Sequence, residues 1–81
     1  GFPINSFRVY PSMEKTADVS VTITDIFGRK LYETHQAKMA EGKHTVTVSR
    51  NQLAGENHSS QLLIVELTAG NKKIRSRVIL L

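Results

Sequence analysis

The chain is organised by a period of two. Val19, Val21 and Ile23 alternate with Ser20, Thr22 and Thr24, and Val46 and Val48, preceded by His44, alternate with Thr45, Thr47 and Ser49. Phe7 and Val9 alternate with Arg8 and Tyr10. In the last segment Ile74, Ser76, Val78 and Leu80 share one face, opposite Arg75, Arg77, Ile79 and Leu81. Successive side chains of a strand point to opposite faces, so each run predicts a strand with one face against a core. Gln61 to Thr68 is different: Leu62, Leu63, Ile64, Val65 and Leu67 make a nearly continuous apolar run, the pattern of a central strand buried on both faces. Gln36 to Ala40 is the only stretch whose pattern admits a helical turn.

Turn signals separate the runs. Pro11-Ser12 closes the first. Asp25-Ile26-Phe27-Gly28 closes the second, with Asp as a side-chain acceptor for the backbone ahead and Gly supplying a positive φ. Arg29 to Thr34 then reads as the hairpin partner of Val19 to Asp25. Glu41-Gly42-Lys43 precedes the next strand, Gly55 follows Leu53-Ala54, and Ala69-Gly70-Asn71 joins the last two strands as a short hairpin. Asp25, Gly28, Gly42, Gly55 and Gly70 are thus the expected structural turn residues. Short strands with turn signals every 8 to 12 residues or so predict one all-β domain, an antiparallel, immunoglobulin-like β-sandwich of about six to seven strands.

Charge changes this picture at one place. The chain has 81 residues and a formal net charge of +4. Lys72, Lys73, Arg75 and Arg77 fall within residues 70–81 beside no acid; the other seven Lys/Arg balance the seven Asp/Glu. The whole excess therefore lies in one strand that runs on into Val78, Ile79, Leu80 and Leu81. A pI near 9.8 would suit nucleic acid, but aromatic side chains for stacking are few and the charge is confined. No apolar run approaches the roughly 20 residues that span a bilayer. The opening Gly1-Phe2-Pro3-Ile4-Asn5 has neither a Met nor a signal-peptide pattern, so the chain reads as a piece of a longer exported protein.

Catalytic chemistry is hard to assemble. There is no Cys, hence no disulfide, thiolate ligand or thiol nucleophile. His35, His44 and His58 sit in separate segments with no acid at ligand spacing, and Ser59-Ser60 lacks a nucleophile-elbow context. Asn57-His58-Ser59 matches the short N-glycosylation pattern. The expectation is a non-enzyme with no catalytic residues, no metal and no cofactor.

From Asp25-Ile26-Phe27-Gly28-Arg29-Lys30-Leu31 onward the chain resembles the C-terminal sorting domains of type IX (Por) secretion cargo. Gly42-Lys43-His44-Thr45-Val46-Thr47-Val48 resembles that family's G-x-h-x-v-x-v strand, and Leu53-Ala54-Gly55 its L-x-x-G turn. Ile64 to Gly70, Lys72-Lys73 and Arg77 to Leu81 resemble its closing strand pair. Departures are Tyr10-Pro11-Ser12 or Phe2-Pro3-Ile4-Asn5 in place of the family's opening P-N-P turn, Thr24 in place of an aromatic residue, and Leu63 at a Tyr position after the insertion Glu56 to Gln61.

The resemblance implies a secretion-signal domain that passes its cargo through the periplasm and across the outer membrane to the cell surface or medium. Its implied partners are translocon and sortase components, with anionic lipopolysaccharide reached through the cargo and a dimer left open. The residues expected to be read are Lys72, Lys73, Arg75, Arg77, Val78, Ile79, Leu80 and Leu81. Two rival classes stand beside this one: a generic immunoglobulin-like or fibronectin-like spacer, and a small carbohydrate-binding sandwich. The latter needs coplanar exposed aromatics; Phe7, Tyr10, Phe27 and Tyr32 are expected in the core or its rim.

Overall fold

A computed structural model describes residues 6–54 and 61–80, for Gln61 and Leu80 the backbone only. Its strands are β1 (Ser6–Val9), β2 (Ser12–Met13), β3 (Ala17–Thr24), β4 (Lys30–Met39), β5 (Gly42–Lys43), β6 (Val46–Ser49), β7 (Gln61–Ala69) and β8 (Lys72–Leu80), with a 3-10 turn at Arg50–Gln52. The main sheet has four antiparallel strands in the order β4-β3-β7-β8. Two short antiparallel ribbons, β1-β6 and β2-β5, accompany it. The expected all-β antiparallel sandwich is what the chain forms.

The alternation of β3 does what its pattern predicts: Val19, Val21 and Ile23 are buried, and the Ser and Thr between them are half-exposed. Leu63 and Val65 of β7 lie on the same face. Over them the β1-β6 ribbon places Phe7 beside Val48 and Val9 beside Val46, forming one cluster with Leu31 and Leu53. Met13 of β2 packs with Val19 and Met39 as a second cluster at the other end of the sheet. Each fully buried side chain of this kind contributes about 1.5–3 kcal/mol. That matters in a domain whose size leaves the core only just sufficient.

Three expectations are corrected. β7 is central in strand order, but Leu62 is exposed and Ile64 and Glu66 are half-buried. Both covering ribbons pack on the one face, so the continuous apolar run reflects interior position between β3 and β8, not burial on two sides. Gln36 to Met39 is strand, not helical turn: β4 continues through Met39, whose side chain is buried against Val19 and Met13. His44 lies between β5 and β6 rather than in a strand, with its ring Nε2 2.6 Å from the Ala40 carbonyl oxygen.

The β3–β4 connection is built around Asp25, which is 3% exposed. Its Oδ1 accepts from the backbone N–H groups of Phe27 and Arg29, both at 2.9 Å, and its Oδ2 from Arg29 Nε at 2.5 Å. Gly28 takes φ +83°, the left-handed position that follows a type I turn in a three-residue hairpin loop. Immediately afterwards the register slips, from Thr24↔Lys30 to Ile23↔Tyr32. Leu31 is the extra residue of this bulge, which lets it reach the core while its carbonyl accepts from Ala54 N–H at 2.8 Å.

Candidate interaction surface: the free edge and open face of the last strand

β8 pairs with β7 from Ala69↔Lys72 to Gln61↔Leu80 without a slip. Gly70 has φ +61° at the first position of the two-residue connection, as a type II′ hairpin requires. On its other side β8 has no neighbour among the described residues, so a row of backbone N–H and C=O groups faces outward.

Its side chains fall on two faces, set by the partners in β7. Lys73, Arg75, Arg77 and Ile79 lie opposite Thr68, Glu66, Ile64 and Leu62, on the face away from the ribbons. Arg75 Nη2 donates to Glu66 Oε2 at 2.9 Å, and Lys73 Nζ lies 3.7 Å from Glu66 Oε1. One carboxylate thus answers two cations. The Arg75 hydrogen bond, together with the charges of Lys73 and Arg75, outweighs partial desolvation and holds the Glu66 carboxyl below its ordinary range. Arg77 has no acidic partner among the described residues. Lys72 turns towards the other end and meets exposed Glu14 at 3.4 Å.

The opposite face of β8 carries Ile74, Ser76 and Val78. The sequence predicts that this face packs the sandwich, and only part of it does. Val78 is half-buried against the main cluster, whereas Ile74 is 60% exposed. The β1-β6 ribbon covers β3 and β7 and stops short of β8. Between β1 and β8 lies an open cleft of about 310 Å³, floored by Val65 and Leu67 and walled by Phe7, Val9, Ile74 and Val78. Among the described residues both bordering strands have an unpaired edge.

Of the residues expected to be read by a partner, the structure gathers Lys73, Arg75, Arg77 and Ile79 into one row and sets Val78 on the cleft. Lys72 stands apart at the hairpin. The side chain of Leu80 and all of Leu81 lie outside the described residues, as do Gly55, the Glu56 to Ser60 part of the insertion, His58 and the glycosylation-like triplet. Among the expected turn residues Asp25, Gly28 and Gly70 occupy hairpins, and Gly42, with φ +113°, opens the two-residue strand β5. Phe7 and Tyr32 pack on the core, but Tyr10 and Phe27 are 66% and 78% exposed. Phe27 sits at the β3–β4 turn under the Arg29 guanidinium, 6.0 Å from the ring centroid, and Tyr10 borders the cleft at the far end of β1. The two rings share no depression among the described residues, so they form no common platform.

Two features escaped the sequence reading. Glu66 as the shared counter-ion was accessible, since a two-residue loop after Ala69 places residue 66 opposite 75. The second is a row on the outer sheet face, in which Ser20 Oγ lies 2.8 Å from His35 Nδ1 and His35 Nε2 lies 3.5 Å from Glu33 Oε1. Such an order of groups suits nucleophilic catalysis only beside donors for an oxyanion. Here Ser20 sits within β3, whose backbone is paired on both sides, and the row lies exposed on an outer face. Its groups therefore serve as a cross-strand polar contact.

Among the described residues no group of three His, Cys, Asp or Glu is placed to hold a metal ion. None of their helices is long and apolar enough to cross a membrane. No family model, curated protein or solved structure matches the chain.

Proposed function

We propose that this chain is a sorting module without an active site, recognised by export machinery through β8. In this reading it labels a cargo protein for outer-membrane translocation and surface delivery, as the C-terminal sorting domains of type IX secretion cargo do. The observation that carries the proposal is β8 itself, an unbroken strand with a free edge, one basic row and one open apolar face. A strand kept only as the end of a sandwich needs neither the uncovered apolar face nor four cations with no acid in the strand itself. Recognition by strand addition uses both features, because the edge supplies main-chain hydrogen bonds and the flanking faces supply selectivity.

An export assay tests this. The 81 residues are fused behind a periplasm-targeted fluorescent reporter, in strains with and without a working type IX translocon. The expected result is surface or medium fluorescence only where the translocon works, lost on deleting Val78 to Leu81 although the fusion stays folded. Reporter held in the periplasm of both strains overturns the proposal and leaves a spacer or interaction sandwich.

A further inference from the structure

The geometry points to the partner's chemistry: β8 accepts one extended protein segment carrying acidic side chains at alternate positions and apolar side chains between them. This deepens the sorting proposal by naming what reads the strand, yet it rests on geometry that is present whether or not export occurs.

The two-residue hairpin closes on Ala69 and Lys72 as a hydrogen-bonded pair. Alternation along an antiparallel ladder then turns the N–H and C=O groups of Lys73, Arg75, Arg77 and Ile79 to the free edge. These are the same residues whose side chains form the basic row. A segment docking there hydrogen-bonds beside three cations that, among the described residues, have Glu66 alone to answer them. Directly opposed cross-strand charges stabilise when opposite and destabilise when like, so the docking residues on this face are acidic. Residues between them fall on the other face, over the cleft, where Ile74, Val78 and Phe7 offer apolar contact.

Other occupants fit less well. Antiparallel pairing of β8 with a second copy must match edge-facing residues with edge-facing residues. About any centre from residue 74 to 77 that sets Lys73, Arg75 or Arg77 against one of the same three. Within this chain, residues 1–5 contain no acid and 55–60 contain one, Glu56, so neither supplies the alternating pattern. The cations alone could be a device to blunt an edge. Blunting does not account for Ile74 and Ile79 standing between and beyond those charges at 60% and 68% exposure.

The probe is an acetylated, amidated peptide of nine residues, the length of β8, alternating glutamate and valine, with a lysine–valine peptide as its counterpart. Both are titrated against the whole 81-residue chain, and amide hydrogen exchange is followed along β8. Binding of the acidic peptide is expected to weaken with salt and to slow exchange at Lys73, Arg75 and Arg77. Arg77→Glu, which breaks no ion pair among the described residues, is expected to lower that affinity roughly fivefold or more and to raise affinity for the lysine peptide. Arg75→Gln serves as a second variant should Arg77→Glu fold poorly. Equal binding of both peptides, protection anywhere other than β8, or concentration-dependent self-association through β8 overturns the inference. Failure here alongside translocon-dependent export removes only the acidic partner. Success here with no export removes the sorting reading and keeps the acidic strand.

Discussion

The main sheet has two edges, and they are built on opposite plans. β4 (Lys30–Met39) is interrupted twice: the register slips at Leu31 and again where Ala17↔Met39 gives way to Val19↔Gln36. At the second slip Lys38 takes φ +53°, and its N–H is held by Asp18 Oδ1 at 3.0 Å. Charges of both signs stand together on β4, with Lys30 Nζ 3.1 Å from Glu33 Oε2. Bulges and the twist they add are how an edge refuses a further strand. β8 has none of these, running nine residues in register with charge of one sign. Among the described residues the molecule thus closes one side of its sheet and leaves the other open, a contrast that favours β8 as the surface of the proposed recognition.

The largest effects should come from what anchors each edge. Leu63 of β7 is fully buried and pairs with Val78 of β8, while Ile74 of β8 is mostly exposed. Leu63→Ala is expected to destabilise by about 2–5 kcal/mol, and Ile74→Ala to stay within about 0.5 kcal/mol, both read from urea unfolding midpoints at constant slope. A large loss for Ile74→Ala would break the comparison, since it would mean that the cleft is covered in solution.

Acid should act on both edges through carboxylates held below their ordinary range. Glu66 is lowered first by the Arg75 hydrogen bond, and Glu33 first by the one from Lys30. A carboxylate with a depressed folded pKa contributes stability that is full above its unfolded value and is lost as pH falls through the folded one. Both reference values are 4.5, so stability should hold near neutrality and decline only as pH drops below that value. Glu66→Gln should flatten the part of this decline that belongs to β8, and at neutral pH it should leave Arg75 and Lys73 without their shared partner. An unchanged acid profile in Glu66→Gln would show that the pair contributes nothing measurable, as many exposed ion pairs do not.

The sequence discloses the two edges unevenly, for physical reasons. β8 was legible almost completely: its period, its hairpin and its uncompensated charge are local properties, and the outward basic row follows from alternation. The bare face of Ile74 was not, because it depends on how far the β1-β6 ribbon reaches, a non-local fact. β4 was legible only to Thr34. Beyond it the two extra residues, Leu31 and Lys38, shift the face on which each later side chain falls, so Gln36 to Met39 loses its period of two and imitates a turn. The Ser20, His35 and Glu33 row was hidden for a related reason, since it needs the β3–β4 register after the first slip. Asp25 and Gly28 were plain, because the turn's chemistry is written in adjacent residues.

The smallest expected change sharpens the contrast at its most strained point. Lys38 holds a left-handed backbone that costs an L-residue roughly 1–2 kcal/mol, and glycine escapes that cost while losing about 0.5–1 kcal/mol of chain entropy. Lys38→Gly should therefore stabilise the fold by about 1 kcal/mol or less, with Lys38→Ala near neutral as the control for removing the side chain. The bond to the Asp18 carboxylate is donated by the backbone N–H of residue 38, not by its side chain, and survives in both variants. A gain in Lys38→Gly alone assigns the strain to φ, which means that β4 keeps its bulge against a local cost. An equal gain in both variants moves the cause to the lysine side chain. The second slip of β4 would then owe nothing to backbone strain, and the refusal of strands at that edge would rest on its bulges alone.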